Sequence, residues 1–189
     1  MLYSSVFKNM YRRKIMKNIP NILTVFRILL IGLLCYLFAK GDYLFSLLTY
    51  IFAFGTDILD GYLARRNNWI TNAGKVLDPL ADKLMLVAVL CCFASVNAIP
   101  LYTLILIAVI EVTMICVGAV LYFKKVVVYA DWFGKIATGL FVFAITMTFV
   151  HLIFDIFPWY NYLYLASVAA SIVSFVHYGI RNFVRHDYE

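Results

Sequence analysis

Nearly the whole chain consists of apolar stretches about as long as a hydrocarbon layer is thick, and that pattern leaves few folds open. A helix needs roughly 17–25 predominantly apolar residues to span a bilayer. Six such stretches can be drawn, at 22–39, 43–61, 82–99, 101–123, 134–156 and 160–180, with short polar gaps between them. At 65% hydrophobic and 14% charged residues and a mean hydropathy of +0.90, the 189 residues hold too little polar surface to cover a water-soluble globule. The expected fold is all-α and integral to a membrane, with six transmembrane helices in a single domain over 1–189. The segment before the first stretch lacks a small-residue cleavage site, so that stretch reads as a span and not a signal peptide.

Charge sets the orientation. Lys8, Arg12, Arg13, Lys14 and Lys17 precede the first span, Arg65, Arg66, Lys75 and Lys83 lie between spans two and three, Lys124, Lys125 and Lys135 lie between four and five, and Arg181 and Arg185 end the chain. The alternate gaps, 40–43, 97–101 and 154–161, hold between them one Lys and two Asp. The positive-inside rule then puts both termini and every charged loop in the cytoplasm. Val6–Lys17 mixes apolar residues with five cations and is expected to form an amphipathic helix beside the membrane, within an interfacial segment covering 1–20. The net charge of +6 is absorbed by this topology, and no basic stripe is left for nucleic acid. Cys35, Cys91, Cys92 and Cys116 lie inside apolar stretches without zinc spacing. A compact chain without a transit peptide points to the plasma (inner) membrane of a bacterium.

The polar stretch from Thr56 to Lys83 carries the chemistry. Asp57 and Asp60 are three apart at the cytoplasmic end of span two, so a helix puts both on one face, and Ala64 continues it. Asp78 and Asp82 are four apart at the start of span three. Asp78 followed by Pro79 also fits a helix N-cap with proline at the first helical position. Asp57 and Asp60 have no such explanation, because a helix dipole disfavours negative charge at its C-terminal end. Four converging carboxylates repel one another, and each costs about 2.5–3.5 kcal/mol at membrane depth. A cation must offset that. Oxygen-only ligands point to hard ions such as magnesium, manganese or calcium, and two of them bridged by aspartate would clamp a phosphoryl group undergoing in-line displacement.

Asp57-x-x-Asp60-Gly61-x-x-Ala64-Arg65 followed by Gly74-x-x-x-Asp78-x-x-x-Asp82 resembles the signature of the CDP-alcohol phosphotransferase (phosphatidyltransferase) family. The runs from Asn18 to Arg27 and from Leu77 to Lys83 resemble the branches that make phosphatidylglycerophosphate and cardiolipin. The resemblance implies transfer of a phosphatidyl group from CDP-diacylglycerol to an alcohol, with release of CMP, as a step of phospholipid biosynthesis. It implies Asp57, Asp60, Asp78 and Asp82 as ligands of two magnesium or manganese ions, with Asp82 also the general base. Thr56, Gly61, Ala64, Arg65 and Gly74 would hold the cytidine diphosphate portion, and the enzyme would be a homodimer.

The acceptor should be written in basic residues, because a phosphate-bearing alcohol needs Lys or Arg anchors. Where the phosphatidylglycerophosphate branch carries an Arg-Glu pair, a further Arg and a Gly-Lys-x-Lys-Thr run, this chain has Ile110-Glu111, Gly118 and Gly134-Lys135-Ile136-Ala137-Thr138. Lys135 is retained, and Arg27, Lys83 and Glu111 are the other candidates for acceptor binding. Glycerol 3-phosphate is the expected acceptor. Phosphatidylglycerol is the alternative, which would make a cardiolipin synthase, and His177-Tyr178-Gly179 has some likeness to that branch. A divalent-cation transporter would also place aspartates on membrane helices, but at the bilayer midplane and across several spans. Here the acids gather at one end, and Glu111 is the only acid deep inside a span.

Overall fold

The computed structural model describes residues 19–67, 74–123 and 132–186. They form six helices and no strand among the described residues: α1 (Ile19–Ala39), α2 (Tyr43–Asn67), α3 (Gly74–Ser95), α4 (Leu101–Phe123), α5 (Trp132–Phe154) and α6 (Tyr160–His186). Ile22–Ala39 and Gly134–Phe154 are long and apolar enough to cross a membrane, and Tyr43–Leu59 and Leu101–Val117 are shorter apolar stretches of the same kind. The amphipathic helix expected over Val6–Lys17 lies outside the described residues.

Three helix limits differ most from the hydropathy reading. α2 runs six residues past the expected end at 61, α3 begins at Gly74 where 82 was expected, and α6 runs six residues past the expected end at 180. Hydropathy marks only the part of a helix that fits hydrocarbon, whereas backbone hydrogen bonding continues through polar sequence beyond it. The reading of Asp78 as an N-cap is thereby corrected. Both Asp78 and Pro79 lie inside α3, in its second turn, where a proline removes one i→i−4 bond near the helix start. Pro20, in contrast, sits in the first turn of α1, where the N–H it lacks would have no partner within the helix.

Two of the turns are closed by backbone bonds. After α1, Gly41 takes a left-handed φ of 83°, Gly41 N donates to Phe38 O at 3.0 Å and Asp42 N to Leu37 O at 3.1 Å. After α3, Asn97 at φ 56° plays the same part, with Asn97 N bonded to Ala94 O at 3.1 Å and Ala98 N to Phe93 O at 2.9 Å. Both are Schellman ends, which satisfy carbonyls a helix would leave open. Pro100 then admits α4, and Thr103 N returns to Pro100 O at 3.0 Å.

The chain divides into two compact units at Cys92, inside α3. In the first, α1 and α2 pack along Thr24, Arg27, Leu30, Leu34 and Phe38 on α1 and Ser46, Leu47, Tyr50, Ala53 and Thr56 on α2. These positions recur every three or four residues, as one helix face requires. Cys35 of α1 and Cys92 of α3 bring their sulfurs to 3.7 Å. In the second unit, α5 and α6 pack through Ala137, Phe141, Ala144 and Thr148 against Tyr160, Tyr164, Ser167, Ser171 and Ser174. Small residues bring the backbones close: a Cβ added at Gly134 would meet Ser174 Oγ at 3.4 Å. Two polar contacts fix the register, Thr148 Oγ1 with Tyr164 Oη at 2.9 Å and Tyr160 Oη donating to Ala98 O at 2.6 Å.

The outward faces are apolar. Val25, Leu29 and Leu33 on α1 and Leu101, Ile105 and Val109 on α4 are exposed, while Thr24, Arg27, Glu111 and Thr148 are buried. Hydroxyls on these helices bond back to the preceding turn, as Thr49 to Phe45 O at 2.8 Å and Thr146 to Val142 O at 2.8 Å do.

Two outcomes are expected. Diamide treatment of the purified protein should link Cys35 to Cys92, so that maleimide-polyethylene glycol applied after denaturation modifies two thiols where the untreated chain offers four; Cys35→Ser should retain its full remaining count. Tyr160→Phe leaves the buried Ala98 carbonyl without its donor and should lower stability by about 1–3 kcal/mol, read by thermal unfolding in detergent.

Candidate active site

Arg27 lies on the face of α1 that turns inward, and its side chain is 0% exposed. A guanidinium has five donors and keeps its charge at any physiological pH, so it can be buried only against acceptors of opposite sign. Two carboxylates supply them. Nη1 of Arg27 lies 2.8 Å from Oδ1 of Asp57 on α2 and donates at 2.8 Å to Oδ1 of Asp82 on α3. The helical course of α2 and α3 is what brings acids 25 positions apart in sequence onto one nitrogen atom.

The two carboxylates are not sealed in with the arginine. The side chain of Asp57 is 29% exposed and that of Asp82 is 46% exposed, so both keep faces open to a ligand. One cation against two anions also leaves the triad with negative charge. Thr56, beside Asp57, is buried and donates its hydroxyl to Ala53 O at 2.7 Å, so its oxygen retains acceptor capacity. Gly61 lies one turn further along α2 and Lys83 follows Asp82 on α3, each half-buried. At the exposed end of α2, Arg66 Nη1 donates to Tyr62 Oη at 3.1 Å and the guanidinium lies 5.8 Å from the Tyr62 ring centre.

Of the other expected site residues, Asp60, Ala64, Arg65, Gly74 and Asp78 occupy helical positions on α2 and α3, but their side chains lie outside the described residues. Among the described residues no group of three or more His, Cys, Asp or Glu side chains is placed to hold a metal ion. Glu111, Lys135 and His177 belong to the second unit. There Glu111 is 4% exposed on α4, Lys135 on α5 is exposed with its ammonium 4.9 Å from the Trp132 ring centre, and His177 is exposed on α6.

The contact that residue spacing did not reveal is that of Arg27 with the aspartates. Arg27 was expected among the acceptor anchors, and the structure places it against Asp57 and Asp82. A signal existed: Arg27 enters α1 at a depth similar to that at which Asp57 leaves α2, and two opposite charges at one depth on adjoining helices are natural partners.

Residues 17–173 match the family described as CDP-alcohol phosphatidyltransferase. The chain is 30% identical over 171 residues to a CDP-diacylglycerol–glycerol-3-phosphate 3-phosphatidyltransferase of Aquifex aeolicus, a match covering 88% of this chain and 96% of that one. It is 32% identical over 185 residues to the protein of the same name in Bacillus subtilis, with the same two shares. A cardiolipin synthase (CMP-forming)/mitochondrial hydrolase fusion protein of Schizosaccharomyces pombe is 33% identical over 108 residues, which is 57% of this chain and 18% of that protein. The matched region takes in all three members of the Arg27, Asp57 and Asp82 contact, and two relatives align over nearly their whole length: the chain belongs to the CDP-alcohol phosphatidyltransferase family.

Proposed function

We propose that this chain transfers the phosphatidyl group of CDP-diacylglycerol to glycerol 3-phosphate, releasing CMP and forming phosphatidylglycerophosphate. The observation that carries the reading is the meeting of Asp57 and Asp82 from two helices at one point, inside the segment that matches the family. Both full-length relatives bear the name of that reaction. The partial match to a cardiolipin synthase supports a second reading, in which phosphatidylglycerol is the acceptor. Membership of a transferase family replaces a cation-transport reading of the same aspartates.

The family works with divalent cations, and the donors present fit a hard one. Asp57 and Asp82 offer oxygen only, and their pairing with the guanidinium supports the reading that these oxygens seek positive charge. We assign Asp57, Asp60, Asp78 and Asp82 to hold two ions, magnesium or manganese. When bound, they would neutralise the diphosphate and make CMP a tolerable leaving group.

The remaining work falls to the chain. Asp82, the more exposed of the two described carboxylates, would accept the proton of the acceptor hydroxyl as its oxygen attacks the phosphorus next to the diacylglycerol. Thr56, Gly61, Ala64, Arg65 and Gly74 would hold the cytidine diphosphate portion, with the small residues permitting close approach. Lys135 would anchor the acceptor phosphate, since its ammonium is exposed and held over Trp132. Lys83 and Glu111 would border the acceptor.

We place the enzyme as one catalytic domain in a bacterial plasma membrane, with six spans, a cytoplasmic site and cytoplasmic termini, acting as a homodimer without nucleic-acid partners. What supports the membrane setting is the distribution of polarity: apolar side chains face outward and the buried positions include Arg27, Glu111 and several hydroxyls.

The test is CMP release by detergent-purified protein given CDP-diacylglycerol and magnesium. Glycerol 3-phosphate should drive release; release driven by phosphatidylglycerol alone would make the chain a cardiolipin synthase instead. Asp57→Asn and Asp82→Asn should each slow release by about 100-fold or more while the protein stays folded, and near-normal turnover in either would remove the assignment. Lys135→Ala should raise KM for glycerol 3-phosphate by about tenfold with a smaller effect on kcat, whereas an unchanged KM would move the acceptor anchor elsewhere.

A further inference from the structure

We propose that Arg27 is the internal counter-cation of the metal site: its guanidinium holds Asp57 and Asp82 while no divalent ion is bound and yields their oxygens when one binds. The proposal rests on the reading of those aspartates as metal ligands.

The geometry is that of a competitor. One nitrogen of Arg27 lies 2.8 Å from Oδ1 of both carboxylates. A magnesium or manganese ion would sit closer still to the same oxygens, at about 2.0–2.2 Å. An oxygen engaged with the guanidinium has fewer lone pairs to offer a metal, and a divalent ion would repel a positive group at that distance. Binding the ion and holding the arginine are therefore opposed.

Exposure points the same way. Arg27 is 0% exposed, whereas the two aspartate side chains are 29% and 46% exposed. An arriving ion meets the carboxylates first and the arginine from behind. The arginine approaches from α1, a different helix from either aspartate, so releasing it need not disturb the helices that carry the ligands.

There is a reason for the chain to carry such a residue. Converging carboxylates without a cation repel each other and are costly to remove from water. Arg27 supplies a permanent charge that keeps the two helix ends together in the metal-free protein. A residue that only braces the site would behave differently: its removal would loosen the ligands and weaken metal binding. A competitor does the reverse. The sign of the change in affinity separates the two roles.

The experiment measures Mn2+ binding to the detergent-purified full chain by electron paramagnetic resonance of the free ion, with thermal unfolding in chelator and in saturating Mn2+. Arg27→Gln should bind Mn2+ about tenfold more tightly than wild type. It should also melt lower in chelator and regain most of the deficit when Mn2+ is added. Recovery of folded Arg27→Gln only when Mn2+ is present throughout purification would be the same dependence in stronger form. Affinity equal to or weaker than wild type, or a melting deficit undiminished by Mn2+, overturns the proposal. Should Arg27→Gln fold under neither condition, Arg27→Lys decides. Its shorter ammonium competes less well and should raise affinity by a few-fold, and an unchanged or reduced affinity overturns the proposal. Wild-type protein that binds no Mn2+ removes the metal reading itself, and this inference with it. Wild-type binding that is lost in Asp57→Asn and unaffected by Arg27→Gln removes this inference alone.

Discussion

A guanidinium wholly withdrawn from solvent and shared between two carboxylates ties together three helices of the first unit. Arg27 cannot lose its charge, so its burial on α1 is tolerable only while Asp57 of α2 and Asp82 of α3 stand within hydrogen-bond distance. The aspartates depend on it in turn, because two acids facing each other would drive α2 and α3 apart. Removing the arginine or either carboxylate weakens this link, by less than a fully sealed ion pair would lose because water reaches both aspartates. The same contact that organises the helix ends also concentrates acceptor oxygens where two helices of the family-matched segment meet.

Away from that point the outer faces, which a water-soluble bundle would make polar, are apolar like the core. Leucines, valines and aromatic residues occupy both, and hydroxyls face in or bond to their own helices. Attraction between apolar surfaces cannot hold helices together in an apolar solvent, so packing has to come from close backbone approach and a few directed bonds. Gly134 against Ser174, Thr148 against Tyr164 and Tyr160 against the Ala98 carbonyl are contacts of this kind in the second unit. The metal ligands proposed for the first unit are thus carried on helices that turn apolar side chains outward, Ile51 and Phe52 on α2 and Leu80 and Leu84 on α3.

Much of this was legible in the residues. Gly41 and Pro100 announce the turns that separate α1 from α2 and α3 from α4, because one permits a left-handed φ and the other cannot continue a preceding helix. The spacing of Asp57, and of Asp82, from the ends of their apolar stretches was enough to expect that they meet. The polar ends of α2 and α3 were harder, since hydropathy measures the surrounding solvent and not the backbone bonding that carries a helix through Asn67 or starts it at Gly74. Partners from distant segments were harder still. Matching depth hints at a pairing of Arg27 with Asp57, but the residues around Arg27 do not say that it faces two aspartates and not an acceptor phosphate, or that the Tyr160 hydroxyl reaches a carbonyl sixty-two residues earlier. Such pairings depend on the relative depth and rotation of whole helices.

The tight turn at Gly41 also has a consequence in time. Because α1 and α2 are joined by only three residues, Lys40 to Asp42, they can form an antiparallel hairpin as soon as both have left the ribosome, with little loop entropy to overcome. Arg27 and Asp57 both belong to that hairpin, so the arginine has its first carboxylate before α3 exists as a helix. Asp82 arrives later to a partner already in place. The charged centre is in this way assembled in two stages, and at neither does a buried arginine have to wait without an anion beside it.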